Sequence, residues 1–258
     1  MFFVSRTLTE TAGFVPLPTH VQRSDNRFEL KYLVSHRQMN GVLRAIAPYV
    51  RADANWENAQ GYPIHSIYWD NDEWTLFWEK IEGLKDRRKL RIRLYGRVDY
   101  GFVEIKHRVD RTLQKRRARL PLDVIYRTFR GEDGELESGI ALDDAVVGEA
   151  MYLRYRYRLR PRMAISYRWR AFFGRFDPDL RITCDTRIQY HTSDTDITRP
   201  FETGTYVVDP RISVLEMKFN DRVPDWLIRL VETHGLEMTR LSKYCSAVDM
   251  AHFGGQLT

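Results

Sequence analysis

The chain has 258 residues, 43% of them hydrophobic, which is enough apolar material for a real core in one large domain or two small ones. With a mean hydropathy of −0.49 it has no apolar run that would span a bilayer, and Met1 to Arg6 lack the basic start and apolar stretch of a secretion signal. Cys184 and Cys245 show neither metal-ligand spacing nor a disulfide framework, and the net charge of +6 favours an anionic partner, so composition describes a cytoplasmic chain.

Residues 1–25 show no periodicity and contain Gly13, Pro16 and Pro18, which makes them a loose lead-in; a single domain is expected over 26–253. The first strand is expected from Arg27 to Val34. Ser35 and Gln38 form a capping box for a helix that stops before Pro48. A strand over Tyr62–Trp69 ends at Asp70-Asn71-Asp72, and a short helix follows with Gly83 as its stop. Three strands, about Arg87–Tyr95, Tyr100–Arg108 and Thr112–Leu120, read as an antiparallel meander turned at Gly96–Gly101 and at Asp110.

A helix is expected over Ala141–Arg158, where Val146, Val147, Ala150 and Met151 supply one buried face. The basic run Arg154, Arg156, Arg158, Arg160 and Arg162 reads as an exposed helix end. Strands follow at Met163–Phe173, Leu180–Tyr190 and Ser213–Phe219, then helices after Pro224 and near Arg240. Short turns between about eight strands predict an α+β fold: an eight-stranded antiparallel β-barrel with flanking helices.

The chemistry lies in alternation. Glu29-Leu30-Lys31, Glu104-Ile105-Lys106 and Glu216-Met217-Lys218 each aim a carboxylate and an ammonium to one side of a strand and an apolar residue to the other. Arg87, Lys89, Arg91 and Arg93 share one face, as do Lys115, Arg117 and Arg119. Such cations repel unless water screens them or anions neutralise them. Both a solvated sheet face and a barrel interior that holds phosphates satisfy that condition. In the second case the glutamates are oxygen ligands for a divalent metal, and the bases pair with phosphate oxygens. No Gly-rich phosphate loop and no histidine cluster is present. Net charge alone also admits nucleic acid, but the aromatic residues read as core, so none is expected.

Six blocks in order resemble the VTC (vacuolar transporter chaperone) domain, from residue 27 to about 250. They are Arg27-Phe28-Glu29-Leu30-Lys31-Tyr32, Lys89-Leu90-Arg91-Ile92-Arg93-Leu94-Tyr95-Gly96, Phe102-Val103-Glu104-Ile105-Lys106, Leu180-Arg181-Ile182-Thr183-Cys184-Asp185-Thr186, Val214-Leu215-Glu216-Met217-Lys218-Phe219 and Ser242-Lys243-Tyr244. The resemblance implies a triphosphate tunnel fold and a polyphosphate polymerase that moves the ATP γ-phosphoryl group onto inorganic polyphosphate with Mn²⁺ or Mg²⁺. The same fold also serves triphosphate or polyphosphate hydrolases, nucleotide cyclases and non-catalytic sensors.

By motif match Lys31, Arg91, Arg93, Lys106, Lys115, Arg181 and Lys243 bind phosphate, Arg240 stands at a basic position of the family, and Glu216 is the metal ligand. Strand geometry adds Lys89 and Lys218 to the basic wall and Glu29 and Glu104 to the metal candidates. The chain shows neither the inositol-phosphate-sensing domain nor the membrane span of eukaryotic members, so coupling to translocation implies a membrane-protein partner. One departure stands out in Tyr167-Arg168-Trp169-Arg170-Ala171-Phe172: Trp169 occupies a position where the family carries a phosphate-binding Arg. Either an indole faces the tunnel, or a bulge turns a flanking Arg inward.

Overall fold

In the computed structural model the described residues are 20–24, 27–53, 61–96, 99–110, 112–129, 144–192, 195–196 and 204–258. Ser35 closes strand β2 (Arg27–Ser35) and opens helix α1 (His36–Ile46) through the expected capping box, its Oγ accepting from the Gln38 N–H at 3.3 Å while Gln38 Oε1 accepts from the Ser35 N–H at 3.0 Å. The meander is present as β5 (Asp86–Tyr95), β6 (Tyr100–Val109) and β7 (Thr112–Pro121), turned at Asp110 in the left-handed region (φ 51°). With β4 (Tyr62–Asp70), β8 (Arg160–Gly174), β9 (Arg181–His191) and β11 (Ile212–Asn220), these make the eight long strands that alternation predicts.

Three short strands were not legible in the sequence: β1 (His20–Ser24), β3 (Val50–Ala52) and β10 (Thr205–Tyr206). β1 falls inside the stretch read as a loose lead-in. All pairings are antiparallel, in the order β1-β7-β6-β5-β4-β8-β9-β11-β2, with β3 on β8 and β10 on β9. The hydrogen-bonded path is therefore open, since β1 rather than β2 takes the edge of β7. The sheet nevertheless curls. The Lys106 ammonium on β6 feels Glu29 and Lys31 on β2, at the far end of the path.

The outer face is apolar and covered twice. Ile92, Val103, Ile105, Ala118 and Leu120 pack under α3 (Leu122–Phe129) and α4 (Ala145–Tyr157). Val34, Ile182, Leu215, Met217 and Phe219 pack under α1 and α5 (Asp225–Thr233). Full burial of such a side chain is worth roughly 1.5–3 kcal/mol, so a one-residue slip that turned these positions inward would be costly. This fixes the charged residues between them on the concave face.

The basic run needs correcting. It is not one exposed helix end, because α4 stops at Tyr157, Arg158 adopts φ 52°, and β8 begins at Arg160. Arg154 is buried, donates to the Thr128 carbonyl at 3.2 Å and lies 5.3 Å over Trp69. Arg160 and Arg162 both pair with Asp72.

Buried Asp70 sets the last element. Its carboxylate accepts from the N–H groups of Leu76 and Phe77, both at 2.9 Å, at the start of α2 (Thr75–Ile81), and from the Tyr244 hydroxyl. Tyr244 also stacks on Tyr68 at 4.9 Å. These contacts hold α6 (Lys243–Val248) against the inner face of β4 and β8, with its first residue pointing among the lumen charges.

Candidate functional site

Pairing across strands assembles the charges into groups. β11 lies between β9 and β2, so Glu216 faces Lys31 on one side and Thr183 on the other. Its Oε2 accepts from Lys218 at 2.5 Å; its Oε1 lies 2.9 Å from Lys243 and 3.6 Å from Lys31. Lys31 also pairs with Glu29 at 3.1 Å and donates to the Leu241 carbonyl. Lys243 bridges Glu216 to Asp185, a carboxylate that is only 2% exposed. Five predicted residues, Lys31, Glu29, Glu216, Lys218 and Lys243, thus meet in one cluster.

Asp185 was missed as a site residue. Its signal was the inward alternation of Arg181, Thr183 and Asp185, which resembles the other strands but lacks the Glu-x-Lys form.

The second group is centred on Glu104, buried on β6 between Arg91 of β5 and Lys115 of β7. Arg91 reaches it through Nε at 2.7 Å and Nη2 at 2.6 Å, and Lys115 at 2.6 Å; Arg91 Nη1 donates to the Tyr68 hydroxyl. Glu104 is therefore a counter-ion shared by two bases, not part of the Glu216 cluster. Arg93 donates to Ser66 at 3.1 Å and to the Tyr167 hydroxyl at 3.0 Å. Lys89 donates to Ser242 Oγ at 3.0 Å, at the mouth of α6.

Two predicted residues stand apart. Lys106 is solvent-exposed within the lumen and makes no salt bridge among the described residues, Glu29 acting on it only at longer range. Arg240 is exposed before α6 and joins none of these groups.

Electrostatics follow the geometry. Burial alone would raise the Glu216 carboxyl, but Lys218, Lys243 and Lys31 hold it well below its usual range. Glu29, which burial would also raise, is drawn down to about 2 by Lys218, Lys106 and Lys31. Burial would lower Lys243, yet Asp185 and Glu216 keep it well above a normal lysine and fully charged. Asp185 itself is raised, by burial first and by the charge of Glu216. Burial pushes Lys106 down, Glu29 partly opposes, and Lys31, Lys89 and Arg91 push further, to about 8.

The strand with the anomalous tryptophan keeps its register. Tyr62 pairs with Trp169 and Ile64 with Tyr167 without a break, so Trp169 faces inward beside Tyr167, and Arg168 and Arg170 face out. The irregularity next to it belongs to β9, where Arg187 has φ 51°. Gly61, at φ 72° with the Trp169 carbonyl 2.2 Å from where a Cβ would stand, lets β4 begin this close. A cation still reaches the position: the Arg181 guanidinium lies 4.8 Å over the indole.

A model of the VTC domain family matches residues 26–252. Vacuolar transporter chaperone complex subunit 4 of Schizosaccharomyces pombe is 27% identical over 87% of this chain, and that of Trypanosoma brucei brucei 22% over 91%. The chain spans 35% of the length of each. Among solved structures, a putative adenylate cyclase from Bacillus halodurans superposes with a TM-score of 0.48 at 14% identity, covering 85% of this chain and 95% of the other. A putative adenylyl cyclase from Hippeastrum, described as having a dominant triphosphatase activity, gives 0.46 at 12%, covering 87% and 94%.

Proposed function

The chain belongs to the VTC domain family, and from that premise we propose that it is a polyphosphate polymerase. A terminal phosphate oxygen of the growing chain attacks the γ-phosphorus of ATP, the bond to the β–γ bridging oxygen breaks, and ADP leaves with the electron pair. The observation that carries this reading is Lys106, a lumen cation crowded by Lys31, Lys89 and Arg91 that makes no salt bridge among the described residues, Glu29 acting on it only at longer range. Phosphate oxygens supply the missing counter-charge. Around it Lys89, Arg91, Arg93 and Lys115 spread positive charge over one wall, as transfer of a phosphoryl group through a loose, highly charged transition state needs. No side-chain nucleophile is required.

Glu216 and Asp185 are the residues that suit a divalent cation, Mn²⁺ or Mg²⁺. The Oδ1 of Asp185 is buried without a hydrogen-bond partner beside the Glu216 cluster. Among the described residues no three His, Cys, Asp or Glu side chains stand close enough to enclose a metal, so phosphate oxygens would complete the shell. That is the usual mode for Mg²⁺, one or two carboxylates plus substrate phosphates. Bound there, the ion supplies Lewis-acid neutralisation of phosphate charge. Glu29, held ionised by three lysines, adds negative charge at the edge of the cluster.

No helix among the described residues is long and apolar enough to cross a membrane; a membrane-protein partner for translocation is part of the same proposal. The test is incubation of the purified protein with ATP and Mn²⁺. ADP together with long-chain polyphosphate is expected. Release of inorganic phosphate from tripolyphosphate, with no polymer from ATP, would make the chain a hydrolase instead.

A further inference from the structure

Three arginines on the inner face have aromatic rings where the other bases have carboxylates. Arg117 and Arg119 continue the inward row of Lys115 along β7, and Arg181 begins β9. The Arg119 guanidinium lies 3.5 Å from the centre of the Tyr100 ring, Arg117 lies 4.9 Å over Phe102, and Arg181 4.8 Å over Trp169 and 5.2 Å from Phe173. The Nε atoms of Arg119 and Arg181 are buried with no hydrogen-bond partner. Compare Arg116, next in the chain but outward, which is gripped by both oxygens of Glu149 on α4. Among the described residues, the same residue type on the same strand pairs with a carboxylate outside and makes no salt bridge inside.

The rings themselves form a continuous arc. Tyr62 and Tyr95 meet Trp169 at interplanar angles of 79° and 64°, and Tyr95 and Tyr100 meet Phe102 at 90° and 85°. Guanidinium groups thus lie over Tyr100, Phe102 and Trp169, while the rings meet one another at steep angles. A nucleobase would have to compete with a guanidinium group for such a face. A guanidinium lying on a ring, by contrast, keeps its N–H donors in its own plane, where they can meet a tetrahedral oxyanion two at a time. Arg119 stands four residues beyond Lys115, about 13 Å along an extended strand. What reaches from one to the other is a longer chain of phosphates.

We propose that Arg117 and Arg119, beyond Lys115 at the aromatic end of the lumen, form a second polyanion subsite, which takes phosphates of a long polyphosphate chain beyond those held at Lys106. It rests on the polyphosphate reading of the lumen and adds to it a chain-length preference. Trp169 then has a role that its departure from the family pattern obscured: in place of a cation, it is the platform on which Arg181 is spread.

The test compares tripolyphosphate with a polyphosphate of tens of phosphates, as metal-free dissociation constants at one ionic strength, in the wild type and in Arg117→Gln/Arg119→Gln. The expected result is a loss of at least tenfold for the long chain, the size of one or more charge-assisted contacts, with tripolyphosphate affinity retained. Should the double variant fold poorly, each single variant reports the same selective loss in smaller measure. Equal loss for both ligands, or none for either in a folded variant, overturns the subsite. A single-stranded oligoadenylate that competes as well as polyphosphate overturns its base-free chemistry. Wild-type protein that binds neither phosphate ligand overturns the functional reading on which the proposal stands, a result distinct from the others.

Discussion

On β2, β9 and β11 each inward lysine is tied to a carboxylate: Lys31 and Lys218 to Glu216, with Lys243 of α6 spanning Glu216 and Asp185. On β5, β6 and β7, Glu104 serves Arg91 and Lys115, while among the described residues Lys106 makes no salt bridge and Arg117 and Arg119 rest on rings. Both walls are built from the same alternation, yet the lysines of one are neutralised in advance, while Lys106, Arg117 and Arg119 of the other make no salt bridge among the described residues. A neutralised wall can be buried and rigid without ligand. A wall short of negative charge costs stability until an anion arrives, so it is where phosphate has most to gain. On the proposed function, the first wall serves positioning and metal, and the second the substrate.

The largest effect that would break this comparison is expected at Glu216. Glu216→Gln leaves three lysines around a neutral amide, and removing one partner of a buried ion pair typically costs about 3–5 kcal/mol. Chemical denaturation should show a loss of that order in phosphate-free buffer, and tripolyphosphate should restore much of it. A variant as stable as the parent would mean that the lysines are solvated and the wall is not neutralised from within.

Next in size is Lys106→Met on the opposite wall. Here stability should hold or rise, because a charge that makes no salt bridge among the described residues is removed, while tripolyphosphate affinity falls roughly tenfold. The pH dependence sharpens the point. With its pKa lowered to about 8, Lys106 is charged below that value and loses its proton as pH rises through it. Affinity should therefore decline between pH 7 and 9 in the wild type, and Lys106→Met should lack that step. The sign for stability is opposite: the unfolded chain holds this proton to higher pH, so stability rises with pH in the same window.

The smallest effect concerns the platform. Trp169→Phe keeps an apolar ring but presents a smaller face to Arg181, so a loss of about 0.5–1 kcal/mol is expected in long-chain affinity or in thermal stability. No change in either would detach Trp169 from the arginine above it.

Much of this was readable from residue spacing. Period-two alternation placed the eight long strands and turned Glu29, Lys31, Arg91, Lys106 and Glu216 to one face, because Leu30, Ile92, Ile105 and Met217 had to go to the other. Ser35 and Gln38 announced α1 by local hydrogen bonding alone. Helix α3 was missed because eight residues, with Ile125, Thr128 and Phe129 buried, are too few for a helical period to declare itself directly after a strand.

Longer-range features left no local trace. That α6 enters the lumen depends on Asp70 and Tyr68 far away in the chain, and the partners of Lys89 and Lys243 depend on it in turn. The buried position of Arg154 reflects a carbonyl of α3 and the face of Trp69, neither of which a helix-end pattern reveals. Spacing could align Glu104 with the other glutamates, but not tell a counter-ion from a metal ligand, because that depends on which bases the neighbouring strands bring across.

A structure of the protein with tripolyphosphate bound tests the division of the lumen most directly. The account predicts phosphate oxygens at Lys106, with Lys89, Arg91 and Lys115 around them, while Lys243 keeps its bridge between Asp185 and Glu216. Phosphates seated on the outer cations, such as Arg160 and Arg162, or a ligand that pulls Lys243 off its carboxylates while Lys106 stays in solvent, would contradict it.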